Sequence, residues 1–515
     1  MTSTTIFDLH HLQDAICHGL STRDIRRCML VCRSWHTNFE PYLWRYITVR
    51  KRLTFNKIKS DFIQSKLAQN ASSILSIDSI FADIWPLFQN VPINNLTVLK
   101  SPSLSTRIAN LTNNQKYAPQ TIDLIIASPN LQVLETSFLG HSDMDSKRFM
   151  TAIRNHSNLR ELSVVAANSV YCKTIRRLLF SCGNLEKVHI QAYIYGYRQA
   201  ETPERDMQDL LAITGSRTPS FRIKELSFKC QEYHSFNYCL IPTLRLCHRL
   251  ERFSAPRLQY LTGYSEIADV LSATAKLQHL DMSAIETLGS HAVLFINASV
   301  GLQSYRGAFH HTGVKDVYEA LLQHWKTLEA LDLAGTGADI AASAMIQRVL
   351  SRCPNLQQFL AMGPLKRIEP SKAFADGDPI LEESDMVRPD ASLGWVCDRL
   401  RVLKLQFRAR IVPGSADGSN MTVIPEQLVA ELSRLTQLED LRLRWVRHKD
   451  EKPIEELAAS EIEAGQKSVS KLLDVLSKLT GLKRLELRGF GAFIDKEALK
   501  KARGQWEHCE WVQYS

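Results

Sequence analysis

Apolar positions recur along this chain in a six-residue pattern, L-x-x-L-x-L, seen most regularly in Leu328-Glu329-Ala330-Leu331-Asp332-Leu333. Its x-L-x-L part alternates, which is the period of a short strand with one buried face. Ahead of the copies lie segments whose apolar residues follow helical spacing: VYEALLQHWK, TIDLIIAS, KTIRRLLFSC, EIADVLSATA, SAMIQRVLSRC, EQLVAELSRL and SKLLDVLSKL. The leading position falls at Leu96, Leu131, Leu159, Leu185, Ile223, Leu250, Leu277, Leu302, Leu328, Leu356, Leu400, Leu438 and Leu482. Three residues on, the second anchor is apolar throughout: Leu99, Leu134, Leu162, Val188, Leu226, Phe253, Leu280, Tyr305, Leu331, Phe359, Leu403, Leu441 and Leu485. A weaker early copy starts at Ile74.

Between Leu250 and Leu356 the intervals are 27, 25, 26 and 28 residues. A period in the twenties around this core is the signature of leucine-rich repeats. One strand and one helix cannot bury their apolar faces alone. Stacking them predicts an α/β solenoid, with parallel strands on an inner wall and helices outside. Some thirteen strands at about 4.8 Å spacing give a wall roughly 60 Å long, enough to hold a folded protein. Longer intervals predict insertions near 363–395, 411–425 and 447–468, read as surface loops that could also reach a partner. A final helix and strand over 495–515 would cap the stack, with Trp506 and Trp511 covering its apolar edge.

Residues 6–49 break the pattern. Leu12, Ile16 and Leu20 form one helical stripe. Ser21-Thr22-Arg23-Asp24 has the form of a capping box that opens a second helix. Ile25, Cys28, Val31, Cys32 and Trp35 would run along that helix's apolar side. Pro41 would start a last short helix carrying Leu43 and Trp44. The expected organisation is an all-α segment of three short helices over 1–49, a linker helix over 50–73 and the solenoid over 74–515.

Composition narrows the function. The chain has 515 residues, too many for one ordinary core. The first twenty lack a long apolar run and no stretch of about 18 apolar residues occurs, so neither a secretory leader nor a membrane span is expected. Eleven cysteines at irregular spacings then read as reduced thiols in a cytoplasmic or nuclear protein. Cys182, Cys247, Cys353 and Cys397 each lie three residues before a leading Leu, a phase that Ser128, Thr274 and Ser299 share elsewhere. That phase predicts a packing role, and no Cys-x-x-Cys pair exists to favour metal binding. Of the net charge of +9, the first 60 residues supply six, with ten basic against four acidic side chains. The near-balance of the rest argues against a nucleic-acid partner.

Leu12, Ile16, Leu20, Asp24-Ile25, Val31-Cys32-Arg33-Ser34-Trp35 and Leu43-Trp44-Arg45 together resemble an F-box. The usual Leu-Pro-x-Glu opening would fall near Asp8, Leu9, His10 and His11, which lack the Pro and the Glu. With the repeats behind it, the chain resembles an F-box/leucine-rich-repeat protein of the divergent fungal kind. The resemblance implies the substrate-recognition subunit of an SCF-type ubiquitin ligase. In that case the box docks on a Skp-type adaptor, and through it a cullin, and the repeats bind the target. Leu12, Ile16, Leu20, Ile25, Val31, Trp35, Leu43 and Trp44 would supply the adaptor contact or the small core behind it. A repeat scaffold whose box no longer binds the adaptor is the alternative.

No nucleophile elbow, phosphate loop or H-E-x-x-H motif occurs, so no catalytic set, cofactor or metal is expected. The third and fifth residues of each repeat should face the inner wall. Those pairs are mixed in charge early on and, with the seventh position added, become basic late, at Lys404, Arg442, Arg444, Arg484 and Arg488, interrupted by Asp440 and Glu486. Clustered arginines suit carboxylate or phosphate, so these five form the candidate contact for an acidic or phosphorylated target.

Overall fold

The computed structural model describes residues 10–49, 60–79, 84, 87–88, 90–100, 118–138, 143–195, 221–230, 237–254, 264–273, 276–287, 289–309, 314–333, 340–361, 380–382, 394–408, 424–445, 457, 459–506 and 509–514. Positions 50–59 and most of the three expected insertions lie outside them. The chain divides into two compact units: Met1–Leu250 with Tyr260–Thr262, and Glu251–Gln259 with Gly263–Ser515.

The first unit begins with helices α1 (His10–Gly19), α2 (Thr22–Met29) and α3 (Arg33–Arg45). Strands β1 (Tyr46–Val49), β2 (Ser76–Ser79), β3 (Val98–Lys100), β4 (Val133–Phe138), β5 (Glu161–Tyr171), β6 (Lys187–Tyr195) and β7 (Glu225–Cys230) follow. Each pairs in parallel with the next. Residues 46–49, grouped by sequence with the helical segment, are thus the first strand of the sheet. Helix α4 (Ser60–Gln69) lies between β1 and β2.

The second unit holds β8 (Arg252–Ser254), β9 (His279–Thr287), β10 (Ser304–Phe309), β11 (Ala330–Asp332), β12 (Gln358–Leu360), β13 (Ile380–Glu382), β14 (Val402–Arg408), β15 (Asp440–Trp445), β16 (Arg484–Arg488) and β17 (Glu510–Tyr514). These are parallel too, with helices between them. β14 is paired along one edge by two strands, β12 at Val402–Lys404 and β13 at Gln406–Arg408. So β13 is a strand inside the stretch read from sequence as a loop insertion. Likewise Ala459–Leu476 is one 18-residue helix that starts within the expected 447–468 insertion.

Register follows the leucines. Leu134, Leu162, Val188 and Leu226 lie opposite one another across β4 to β7. Leu280, Tyr305, Leu331, Phe359, Leu403, Leu441 and Leu485 do so across β9 to β16. All are buried, as are the leading residues. Each such side chain contributes about 1.5–3 kcal/mol by leaving water.

Backbone hydrogen bonds hold the same register. Within each unit, the residue after most leading positions offers its carbonyl to two N–H groups of the next repeat. Gln132 O accepts from Arg160 and Glu161, Arg160 O from Glu186 and Lys187, and Glu186 O from Lys224 and Glu225. The second unit repeats this at Gln278, Gln303, Glu329, Gln357, Arg401 and Glu439. Several asparagines just before the leading residue add a side-chain tie, as when Asn184 Nδ2 donates to Ser157 O at 2.7 Å and Asn355 Nδ2 to Lys326 O at 2.7 Å.

The residue three before the leading position turns the helix into the strand. Ser128 Oγ donates to Leu124 O at 2.7 Å, Ser299 Oγ to Phe295 O at 3.1 Å and Cys247 Sγ to Thr243 O at 3.2 Å. Cys182, Cys247, Cys353 and Cys397 are buried at this turn, and burial pushes their thiols up to about 12. Such thiols stay protonated and make poor nucleophiles or metal ligands. Trp506 is buried with its Nε1 donating to Leu476 O at 3.2 Å, while the Trp511 side chain lies outside the described set.

One turn uses a histidine. Leu302 N donates to His324 Nδ1 at 3.2 Å, and His324 Nε2 lies 3.1 Å from Ile296 O. The ring therefore accepts at Nδ1 and donates at Nε2, which only the neutral form can do. Burial holds its pKa below the ordinary 6.5. Its contribution is complete above the unfolded-state value and is lost as pH falls below it, because the unfolded chain takes up the proton more readily. Denaturant titration should show stability falling as pH drops below about 6.5, with a shallower slope in His324→Gln. In the same assay Leu331→Ala should cost about 2–5 kcal/mol, and Ala330→Ser, on the inner wall, well under about 1 kcal/mol.

Candidate interaction surfaces

The helical segment has a filled core. Cys17, Ile25 and Phe39 are buried, with Leu20, Cys28, Met29, Trp35, Tyr42 and Leu43 packed on them. The Trp35 and Phe39 rings lie 5.5 Å apart. Ser21 caps α2, its Oγ accepting from Asp24 N at 3.3 Å, as the capping-box spacing predicts. A polar tie joins α1 to α3: Tyr42 Oη donates to Asp14 at 2.6 Å and Arg45 Nη2 at 3.1 Å, with the Arg45 guanidinium 4.7 Å from the centre of the Tyr42 ring. The Tyr42 hydroxyl, and then Arg45, hold the Asp14 carboxyl below its usual range despite partial burial. Lys66 of α4 pairs with Glu40 of α3 at 3.0 Å.

Two helix boundaries differ from the sequence reading. α2 stops at Met29, because the Leu30 and Val31 amides turn back onto the Arg27 and Cys28 carbonyls. Val31 and Trp35 therefore do not share a helix. Pro41 lies inside α3, not at its start. A proline there forgoes one backbone bond, a loss that burial of Phe39 on the same helix helps to offset.

These boundaries sort the candidate residues. Ile25 is buried, and Leu20, Trp35 and Leu43 pack against the core. Trp44 is half-buried. Leu12 is 37% exposed, Ile16 41% and Val31 62%. Sequence reasoning missed Leu30, which is 85% exposed beside Val31. Its only signal was a Leu-Val pair ahead of Cys32-Arg33, and the helix was read as running through it. Leu12 and Ile16 lie one turn apart on α1, while Leu30 and Val31 form the turn between α2 and α3.

The structure brings the five late basic residues together on β14, β15 and β16. Lys404 lies opposite Arg442, which lies opposite Glu486. Arg444 lies opposite Arg488, and Asp440 opposite Arg484. On β15 Leu441, Leu443 and Trp445 are buried, whereas Asp440, Arg442 and Arg444 stand on the other face, half-buried. The carboxylates are heavily used. Asp440 takes Arg442 at 3.1 Å and Arg484 at 3.8 Å; Glu486 takes Arg442 at 3.5 Å and also Arg488. Five cations against two carboxylates leave an excess of three positive charges. Burial, with Arg442 alongside, holds the Lys404 ammonium below its usual pKa. Beside Lys404 on β14 the Gln406 amide oxygen is buried without a hydrogen-bond partner among the described residues.

Among the described residues, no group of three or more His, Cys, Asp or Glu side chains could hold a metal ion. Nor is any described helix long and apolar enough to cross a membrane.

The described residues thus form a short helical segment followed, in each unit, by leucine-anchored parallel strands with helices between them. Residues 11–50 match the F-box-like family model. A solved chain of the yeast Rad7 and Elc1 complex is similar over 93% of this chain and 95% of that one, at 12% identity and a TM-score of 0.38. No curated protein matches the sequence.

Glu486 is the most buried of the wall's charges, 5% exposed. Replacing it with Gln removes the carboxylate that Arg442 and Arg488 share. Glu486→Gln should cost on the order of 3 kcal/mol by denaturant titration, more than Asp440→Asn, whose partners have more access to water.

Proposed function

We propose that this chain is a non-catalytic substrate receptor of an SCF-type ubiquitin ligase. Its F-box-like segment docks on a Skp-type adaptor, and the inner wall of its repeats holds the protein to be ubiquitylated. The observation that carries this reading is the outward apolar set Leu12, Ile16, Leu30 and Val31 on a helical unit whose core is already filled. Apolar groups left outside a completed core suit a partner surface. The basic excess of the first 60 residues favours an acidic adaptor. Ubiquitin transfer then takes place on other subunits. On the wall, Lys404, Arg442, Arg444, Arg484 and Arg488 favour an acidic or phosphorylated target.

A second reading, an interaction scaffold without the adaptor, draws on the missing Pro and Glu at Asp8–His11. Substitution in the intact chain separates the two better than truncation, since removal of residues 1–50 would also delete β1 from the sheet. Leu30→Asp with Val31→Asp should leave the melting temperature unchanged and reduce co-purification of a Skp-type adaptor at least about tenfold. Equal adaptor capture by the variant would sink the proposed contact, and no capture by the unaltered chain would favour the scaffold.

A further inference from the structure

The carbonyl-ladder position carries the same four residue types twice, in the same order over consecutive repeats. In the first unit they are Gln132, Arg160, Glu186 and Lys224; in the second, Gln357, Arg401, Glu439 and Lys483. Both Glu residues are gripped from two sides. Glu186 meets Arg160 at 4.0 Å and Lys224 at 3.0 Å. Glu439 meets Arg401 Nε at 2.6 Å and Lys483 at 2.6 Å.

The residues just before the leading position differ. In the first unit they are Asn130, Asn158, Asn184 and Arg222; in the second, Asn355, Arg399, Gln437 and Gly481. Two changes follow. A cation, Arg399, arrives beside Arg401, and a glycine stands where the first unit has Arg222. In the second unit this rim holds a cavity of about 520 Å³ between Arg399, Arg401, Glu439 and Lys483, with Gly481 and the Gln437 amide in its lining.

Charge sets what it takes. Three cations face one carboxylate, and Arg401 and Lys483 already occupy both oxygens of that carboxylate. Arg399 has no carboxylate partner among the described residues. Lys483 keeps two further N–H donors and Arg401 keeps donors beyond those on Glu439. The cavity therefore has N–H groups to offer and an excess of two positive charges. Its volume exceeds that of one phosphate or carboxylate ion. It crosses four successive repeats, about 14 Å at about 4.8 Å per strand, the span of about four extended residues.

We propose that this rim cavity binds an acidic segment of a protein partner, whose carboxylates meet Arg399, Arg401 and Lys483 above Gly481. The site lies where the strands begin, separate from the arginines of the inner wall, and stands whether or not the F-box-like segment docks on an adaptor. Fluorescence anisotropy of a labelled hexaglutamate peptide with the full chain tests it. Arg399→Ala with Lys483→Ala should weaken binding at least about tenfold, and added salt should weaken binding to the unaltered chain. Gly481→Gln fills the cavity without changing its charge and should weaken binding similarly. Gly481 tolerates a side chain: its φ is not in the left-handed region, and the nearest atom to an added Cβ is Leu438 O at 3.8 Å. Lys224→Ala, at the equivalent position of the first unit and outside the cavity lining, should have no effect. Binding kept in the Arg399→Ala, Lys483→Ala variant would overturn the assignment. So would equal binding by Gly481→Gln, or tighter competition by inorganic pyrophosphate than by unlabelled peptide, which would mark a small-anion site.

Discussion

One backbone carbonyl per repeat, bonded to two N–H groups of the next, is the interaction on which this structure depends. It fixes where each strand starts relative to its neighbour. A one-residue slip would break both bonds and move every apolar side chain to the wrong face. The leucines supply most of the free energy, but hydrophobic burial is not directional. The ladder gives it a register, so that Leu331 lies opposite Phe359 and Tyr305 and not beside them.

With the register fixed, side chains at equivalent positions form columns. This turns isolated sequence features into surfaces. Lys404, Arg442 and Glu486 are about 40 residues apart in sequence, yet lie opposite one another in a row. Gln357, Arg401, Glu439 and Lys483 form another row, just outside the strands. The two rows use charge differently. On the wall, Glu486 is buried and Asp440 half-buried among arginines, and both hold them in place. On the rim, the corresponding carboxylate is partly open and Arg399 lies beyond its reach. A basic count from sequence weights both rows alike, whereas solvent access and pairing set them apart.

The F-box-like segment follows a different logic. Its three helices are too few to build a large core. Cys17, Ile25 and Phe39 fill what there is, and the Asp14–Tyr42–Arg45 tie closes one side. α3 then runs directly into β1, so the small unit gains stability from the sheet that follows it.

Sequence alone determined the repeat, its parallel strands, its buried anchors and the packing role of Cys182, Cys247, Cys353 and Cys397. Those features follow from local period, and local period survives folding because each repeat contacts mainly its neighbours. The F-box-like helices were also legible in outline, through the Ser21 cap and the apolar stripe of α1. Only the tertiary structure decided that α2 ends at Met29, which turns Leu30 outward and leaves Val31 exposed, and that Leu20, Trp35 and Leu43 pack inward. It alone placed a strand at Ile380–Glu382 and a cavity over Gly481. A helix end depends on which carbonyls the next amides reach, and a cavity depends on which side chain is missing from a neighbouring repeat. Both are contacts between residues that no local pattern links.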